Sequence, residues 1–409
     1  MPLALHPVPA SSTGAAHPAA ADFDPIAAAT DLAARLHATA VERDRLGGHP
    51  ARERELIRAS GLLALSVPRA HGGDGADWLT IGNVVRIVAR ADSALAHLLG
   101  FHHLQVAGIA LTGSAQQQRR LFTETVERDV FWGNALNPLD RRLVATPTAG
   151  GYVLDGAKSF ASGARGADWL TVCAWDPLAH GALTAVVPVR QPGVAVQDDW
   201  DAFGQRQTDS GTVTFAGVQL AEDDVLQPAG RAPTPQAQLR PLVAQLALTN
   251  VLLGLAEGAL EAARGYLRGE ARSWFPSSLE VASATDDPYV QHRFGNFHLL
   301  VRPAQALADA AATELDWALA RGAHLTARER GEVAVTITGA KLLAHRAAIE
   351  IGNQMFELTG ARSTSGRHGL DRFWRNARVH TLHDPVDYKL RDLGRYALDG
   401  TVPEPAAYS

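Results

Sequence analysis

The 409-residue chain holds a single cysteine, Cys173. An internal disulfide framework is therefore impossible, and so is a cysteine-based zinc site. That lone thiol reads as a small buried hydrophobe in a strand over 169–175. Surplus positive charge is missing too: Lys and Arg number 38 against 43 Asp and Glu, a formal net charge of −5. A nucleic-acid partner would demand a basic footprint, so none is expected. No apolar run approaches the roughly 20 residues of a bilayer span, so no membrane partner is expected either. The chain also lacks a Gly-x-Gly-x-x-Gly after a strand, a P-loop and a Gly-x-Ser-x-Gly elbow. His-Glu-x-x-His is absent as well, although there are 16 histidines. His102 and His103 are adjacent, diverge by about 100° on a helix and cannot chelate one ion together. No metal site is expected.

What remains is an ordinary globular composition, 46% hydrophobic and 20% charged. The length suits two or three domains. Residues 1–23 are rich in Ala, Pro, Ser and His, without the charged start and apolar core of a signal peptide. They read as a disordered tail, and a cytoplasmic location is the expectation.

Three segments follow. Over 24–128 the pattern is helical, opening on Asp24-Pro25 as cap and first helical position. Asp92-Ser93 marks a break and a new cap. Over 129–230 short β-rich runs appear at 130–134, 151–154, 169–175, 183–189, 193–197 and 211–215, separated by Gly, Pro and Asp. That spacing predicts an antiparallel barrel or sandwich. Over 231–409 helical periodicity returns, with long helices expected over 242–268, 287–319 and 328–359. Small residues on one stripe of the third, including Ala340, Ala344 and Ala347, would let helices approach closely in a bundle. The fold class is therefore α+β and multi-domain: an N-terminal helical domain, a central antiparallel β-barrel or sandwich, and a C-terminal four-helix bundle.

Two stretches carry chemistry. The first runs from Trp132 through Asn134 to Pro138 and resumes over 156–164, placing Asn134 and Ser162 at the ends of neighbouring β-runs. Both side chains donate and accept hydrogen bonds, although Asn and Ser are also ordinary turn residues. The second, 371–385, holds Arg372, Arg375, Arg378, His380, His383 and Asp384 before Pro385. Pro385 disfavours helix at Asp384, so His383 and Asp384 fall at a break between two helices. The three arginines share a face, and for most of them a solvated, ion-paired surface is the favoured reading.

These residues bring a family into view. Val67-Pro68 through Gly75, the run from Gly113-Ser114 to Gln118, Asp155 to Phe160, Gly204 to Gly211 and Arg272 to Phe275 each resemble motifs of the acyl-CoA dehydrogenase superfamily. The resemblance implies that family's fold. It departs where many of these dehydrogenases carry the glutamate that abstracts the substrate α-proton. His383 stands there instead. Glu257 and Glu261 keep a relocated base open, and with it the alternative of a FAD-dependent acyl-CoA dehydrogenase.

The pattern resembles more closely the flavin-dependent monooxygenase branch, which includes dibenzothiophene monooxygenase and sulfur-acquisition enzymes. That resemblance implies His97, Ser162, His383 and Asp384 as catalytic residues. It implies Asn134, Phe160, Ser162, Arg272, Phe275, Arg362 and His383 as flavin contacts, the two arginines serving the phosphate. Phe101, which replaces the branch's frequent Tyr, would line the substrate pocket; from residue type alone Trp200, Phe203, Trp132 and Phe160 suit either an apolar substrate pocket or ordinary core. It further implies reduced FMN as cofactor (FAD being the dehydrogenase choice), delivered by a separate flavin reductase. Dioxygen would react at the flavin C4a carbon to give a hydroperoxide that oxygenates a small apolar, possibly organosulfur, molecule. A homotetramer is the implied assembly, and amine N-oxygenation is a further activity of the branch.

Overall fold

The structure, a computed structural model, describes residues 23–272 and 279–409. The expected tail, apart from Phe23, and Phe275 lie outside the described residues. Six helices come first: α1 (Pro25–His37), α2 (Ala40–Leu46), α3 (Ala51–Ala59), α4 (Trp78–Ala91), α5 (Ser93–Thr112) and α6 (Ala115–Glu127). Asp24 caps α1 by accepting from the amides of Ile26 and Ala27, and Pro25 holds the first helical position. Asp92 ends α4 and caps α5, accepting from Ala94 and Leu95. Every residue of α5 from 93 to 109 is buried. A helix buried all round is a core element, not a surface one.

Eight strands follow: β1 (Trp132–Ala135), β2 (Val144–Thr148), β3 (Gly151–Lys158), β4 (Trp169–Asp176), β5 (Gly181–Pro188), β6 (Val194–Val196), β7 (Val213–Ala221) and β8 (Val225–Gln227). They form one sheet in the order β6-β7-β3-β2-β4-β5-β8, with β1 added beside β4. Most pairs are antiparallel, but β1 runs parallel to β4, with Trp132 opposite Trp169. The sheet curls around its own core, where Leu154, Leu170, Val172, Leu183, Val213 and Phe215 meet. Its outer face, through Trp132, Val186 and Leu226, packs on Val106 and Ile109 of α5 and Leu121 and Phe122 of α6. Cys173 is buried in β4 as expected.

The last segment holds α7 (Arg240–Gly269), α8 (Pro288–Arg321), α9 (Ala327–Thr359), α10 (Asp371–His380) and α11 (Val386–Asp399). Helices α7, α8 and α9 pack on one another, and α4 and α5 pack on α7. One apolar core therefore runs from Leu32 and Val85 through Leu252 to Ile337 and Ala344. Helices α5 and α7 are long and apolar enough to cross a membrane, contrary to the expectation from apolar runs, yet 89% of each apolar window is buried inside the protein. Apolarity all round reflects burial on every side in these two.

Candidate active site

Two strained loops meet beneath α5. The chain turns after β3 at Phe160, whose φ is +57°, and before β7 at Gln205 (+52°) and Asp209 (+45°). Non-glycine residues pay a steric cost in that region and persist there when surroundings over-determine them. The surroundings do so here. Gln205 donates its amide to Asn376 Oδ1 of α10 at 2.7 Å and its side-chain amide to Ser93 Oγ at 3.1 Å. Gly204 passes so close to α10 that an added Cβ would lie 2.2 Å from the Arg375 carbonyl. Across the gap, Ala161 N donates to Gly211 O at 3.0 Å and Gly163 N to Thr208 O at 2.9 Å.

The result is a buried chain of three hydroxyls. Thr208 Oγ1 donates to the Gln205 carbonyl at 3.0 Å, and Ser210 Oγ lies 2.8 Å from both Thr208 Oγ1 and Ser162 Oγ. Each hydroxyl has one proton. With the Thr208 proton on Gln205, one arrangement has Ser210 donate to Thr208, whose carbonyl it also reaches at 3.4 Å, and Ser162 donate to Ser210. Ser162 Oγ is left with lone pairs alone, an acceptor for a donor on a bound molecule. Asn134 at the end of β1 donates its backbone amide to Ser162 O at 3.0 Å, so Asn134 and Ser162 do come together.

Above this loop stands a histidine cluster. His97 of α5 stacks on Phe101 with ring centroids 4.0 Å apart, and His380 of α10 lies 4.9 Å from His97. Both imidazoles are buried. Among the described residues neither His97 nitrogen has a hydrogen-bond partner, and neither does His380 Nε2. Burial, reinforced by His383, pushes the His97 pKa down to about 3. Burial, with His97 and His383 beside it, also holds His380 well below the ordinary imidazole value. Both are therefore neutral at physiological pH, with ring nitrogens able to take or give a hydrogen bond.

His383 and Asp384 sit at the α10–α11 break, as the Asp-Pro pair predicts. His383 Nδ1 lies 2.9 Å from Asp384 Oδ1. Asp384 is buried and ion-paired with Lys341 of α9. Burial alone would raise its pKa, but the His383 hydrogen bond and the Lys341 charge overcome this and hold the carboxyl well below the usual range. An ionised Asp384 accepts from Nδ1–H, which leaves His383 Nε2 as the nitrogen available for proton transfer.

The aromatic residues divide. Phe101 is buried against His97. Phe160 is exposed and meets Trp200 edge-on at 6.1 Å, and the exposed Phe203 stacks on Trp374 at 6.1 Å. Trp132 is a core residue instead: its ring is buried and its Nε1 donates to Thr125 Oγ1 at 2.9 Å. Arg272 is exposed beyond α7, and Arg362 Nη2 donates to the Glu270 carbonyl at 3.3 Å, which brings the two arginines to one end of α7. Arg372, read from sequence as a surface charge, is 5% exposed and lies over the Phe373 ring at 4.1 Å. Arg375 pairs with Asp371 at 2.8 Å and with Asp44 at 2.5 Å. Glu257 is taken up by Arg90 at 2.5 Å, and Glu261 faces solvent.

Sequence reasoning passed over Ser210, Thr208, Gln205, His380 and Lys341. His380 had a usable signal, since it lies one helical turn before His383. Lys341 had none, because its partner Asp384 is 43 positions away.

Three family descriptions match in chain order: acyl-CoA dehydrogenase N-terminal domain over 27–129, middle domain over 134–218 and C-terminal domain over 246–388. A probable FMNH2-dependent monooxygenase SfnC of Pseudomonas putida is 46% identical over 385 residues, covering 94% of this chain and 97% of that one. A dibenzothiophene monooxygenase of Rhodococcus qingshengii is 45% identical, with 94% and 96% covered. The solved structure of methanesulfinate monooxygenase MsuC from Pseudomonas fluorescens superimposes with a TM-score of 0.92 at 45% identity, over 95% of this chain and 100% of that one. The three-segment fold is thus shared across nearly the whole length. The chain belongs to the acyl-CoA dehydrogenase superfamily and, within it, to the branch of flavin-dependent monooxygenases.

Proposed function

We propose that the protein is the oxygenase of a two-component system: it takes reduced FMN from a separate reductase and uses dioxygen to oxygenate a small organosulfur molecule in the cytoplasm, working as a homotetramer. The observation that carries this reading is the His383–Asp384 hydrogen bond at the α10–α11 break, where the family resemblance would place the carbon-acid base of many dehydrogenases. The names of the relatives agree, since dibenzothiophene and methanesulfinate both carry sulfur and SfnC is called FMNH2-dependent. Glu257, the relocated base that a dehydrogenase would need, is paired with Arg90.

The residues present fit a flavin. Ser162 offers an acceptor, His97 offers two unpartnered buried nitrogens, and Arg272 and Arg362 offer charge for a phosphate. Phe275 belongs to the same proposal through its motif. When bound, reduced flavin supplies the two electrons by which one oxygen atom reaches the substrate and the other leaves as water. The protein's task is to keep the site dry and to meter protons. His97, His380 and Phe101 form a wall without net charge, whose unpartnered ring nitrogens are left for hydrogen bonds to a bound molecule. Ser162 and Asn134 orient what lies against β1. His383 gives and takes a proton at Nε2. Phe160, Trp200 and Phe203 offer apolar faces to a substrate.

The test is to mix protein loaded anaerobically with reduced FMN with 18O2 and a thioether or sulfoxide, and to read the product by mass spectrometry. The expected result is one labelled oxygen per product. His383→Ala is expected to lower product formation by about 10²–10⁴-fold and to divert oxygen to hydrogen peroxide. Reduction of an electron-acceptor dye by an acyl-CoA, with no labelled product, would replace this reading with the dehydrogenase one.

A further inference from the structure

We infer that Lys341 is a positioning residue for the reaction: with Gln245 it extends the His383–Asp384 pair into a buried relay, Gln245–Lys341–Asp384–His383, that decides which nitrogen of His383 carries the proton. The inference rests on the oxygenase reading for its chemistry, while the relay itself is a matter of geometry.

The four residues come from three separate parts of the fold. Gln245 lies on α7, Lys341 on α9, and Asp384 and His383 on the α10–α11 break. Lys341 Nζ donates to Gln245 Oε1 at 2.6 Å and to Asp384 Oδ1, and the same Oδ1 accepts from His383 Nδ1 at 2.9 Å. Gln245, Lys341 and Asp384 are 3%, 6% and 6% exposed.

Electrostatics gives the lysine its role. A carboxylate that is buried without a cation takes up a proton rather than stay charged. A protonated Asp384 would donate to His383 Nδ1, forcing the proton to Nε2. An ionised Asp384 accepts from Nδ1 and leaves Nε2 as the lone-pair nitrogen. Lys341 keeps the carboxylate ionised and so selects the second state. Although burial pushes the lysine down to about 8, with Asp384 opposing that shift, it is mostly charged at neutral pH. The other ionisable groups around the relay are His97 on α5, His345 on α9, Arg378 and His380 on α10, Lys389 on α11, which stands 3.7 Å from Asp384 Oδ2, and Tyr408 beyond it. Among them Lys341 is the cation in direct contact with the oxygen that His383 uses.

The experiment labels histidine with 15N and reads the His383 tautomer by NMR in the flavin-free protein, with no dependence on turnover. The native protein should show Nδ1–H. Lys341→Met should shift His383 toward Nε2–H and move the acidic limb of the turnover profile upward by about one pH unit. It should lower turnover roughly 10- to 100-fold, with the Kd for FMN within about twofold of the native value. Lys341→Arg should restore the tautomer and most of the rate. If Lys341→Met does not fold, Lys341→Gln, which keeps a hydrogen-bond donor for Asp384 and removes the charge, takes its place. It should fold yet lose the Nδ1–H preference. A folded variant of either kind that keeps the native tautomer and pH profile overturns the inference. Failure of the oxygenase reading would look different: the native protein would give no labelled product while the tautomer result stood.

Discussion

At the scale of single residues the site depends on where protons point. Ser162 acts as an acceptor in the arrangement in which it donates to Ser210, Ser210 donates to Thr208, and Thr208 donates to the Gln205 carbonyl. Ser210→Ala cuts that chain without touching Ser162. Its expected effect is a loss of about 1 kcal/mol in flavin binding, about fivefold in Kd, because Ser162 must then present its own proton to the site. Ser162→Ala should cost at least as much, and the double variant little more than Ser162→Ala alone, since the two act as one unit. Fluorescence titration with FMN reads all three, and fully additive losses would refute the polarised chain. Ser162 was legible in the sequence because it sits in a motif. Ser210 was not, although it lay inside the quoted run from Gly204 to Gly211, because nothing in spacing says that residues 48 apart share a hydroxyl contact. Histidine shows the same divide. His102 and His103, adjacent and conspicuous, turn to structural partners, the Leu63 carbonyl at 2.8 Å and Ser66 Oγ at 2.8 Å. His380, which the sequence gives no role beyond its place in the 371–385 stretch, closes the cluster over His97.

At the scale of elements, the start of α4 carries an unusual burden. Asp77 caps it by accepting from Thr80 N at 2.8 Å, and Asp316 of α8 accepts from Trp78 N with both oxygens at 3.0 Å. Burial, aided by Asp77, raises the Asp316 pKa to about 6, while the Trp78 hydrogen bond opposes the shift. The folded state thus binds a proton more tightly than the unfolded chain, whose aspartate titrates near ~3.9. Stability contributed by this group falls as pH rises from about 4 to about 6, and the full cost is present above that window. Asp316→Asn keeps an oxygen for Trp78 and removes the charge. It should stabilise the protein by about 1 kcal/mol at pH 8, after allowance for partial solvent screening, and by almost nothing at pH 3.5. Urea unfolding at the two pH values checks this, and a gain that does not change with pH would exclude the charge as its cause. Most elements themselves were legible. Predicted helices over 242–268, 287–319 and 328–359 match α7, α8 and α9 to within two residues, because long periodic runs leave little ambiguity. Strand β2 was missed since Pro147 argues against a strand. Beyond Val144 it has β3 as its one neighbour, so the proline lies along an edge where its missing N–H costs no ladder bond. Strand β8, three residues long, offered no pattern.

At the scale of the whole molecule, the sequence suggested separate helical parts before and after the sheet, yet α1, α4 and α5 share one core with α7, α8 and α9. Periodicity shows that a helix has an apolar face and says nothing about which other helix will cover it. The same core leaves some apolar side chains outside. Leu299 on α8 is 69% exposed, and on α11 Tyr388 is 61% and Leu398 88% exposed. Single exposed leucines are ordinary, but large ones on two long helices of the same segment suit self-association. The proposed tetramer would cover such faces by symmetric closure. Light scattering should then give about four times the 43.5 kDa chain mass. Leu299→Glu and Leu398→Glu, changes that leave the buried core intact, should shift that mass toward dimer or monomer, because a charge cannot be buried across an interface without a partner. Since Arg272 and Arg362, the arginines proposed for the flavin phosphate, lie at the exposed end of α7, loss of assembly should also weaken FMN binding if a second subunit helps to close that end. A native protein that scatters as a monomer at micromolar concentration, and binds FMN as tightly as the glutamate variants do, would remove the tetramer from the proposal and leave a site complete within one chain.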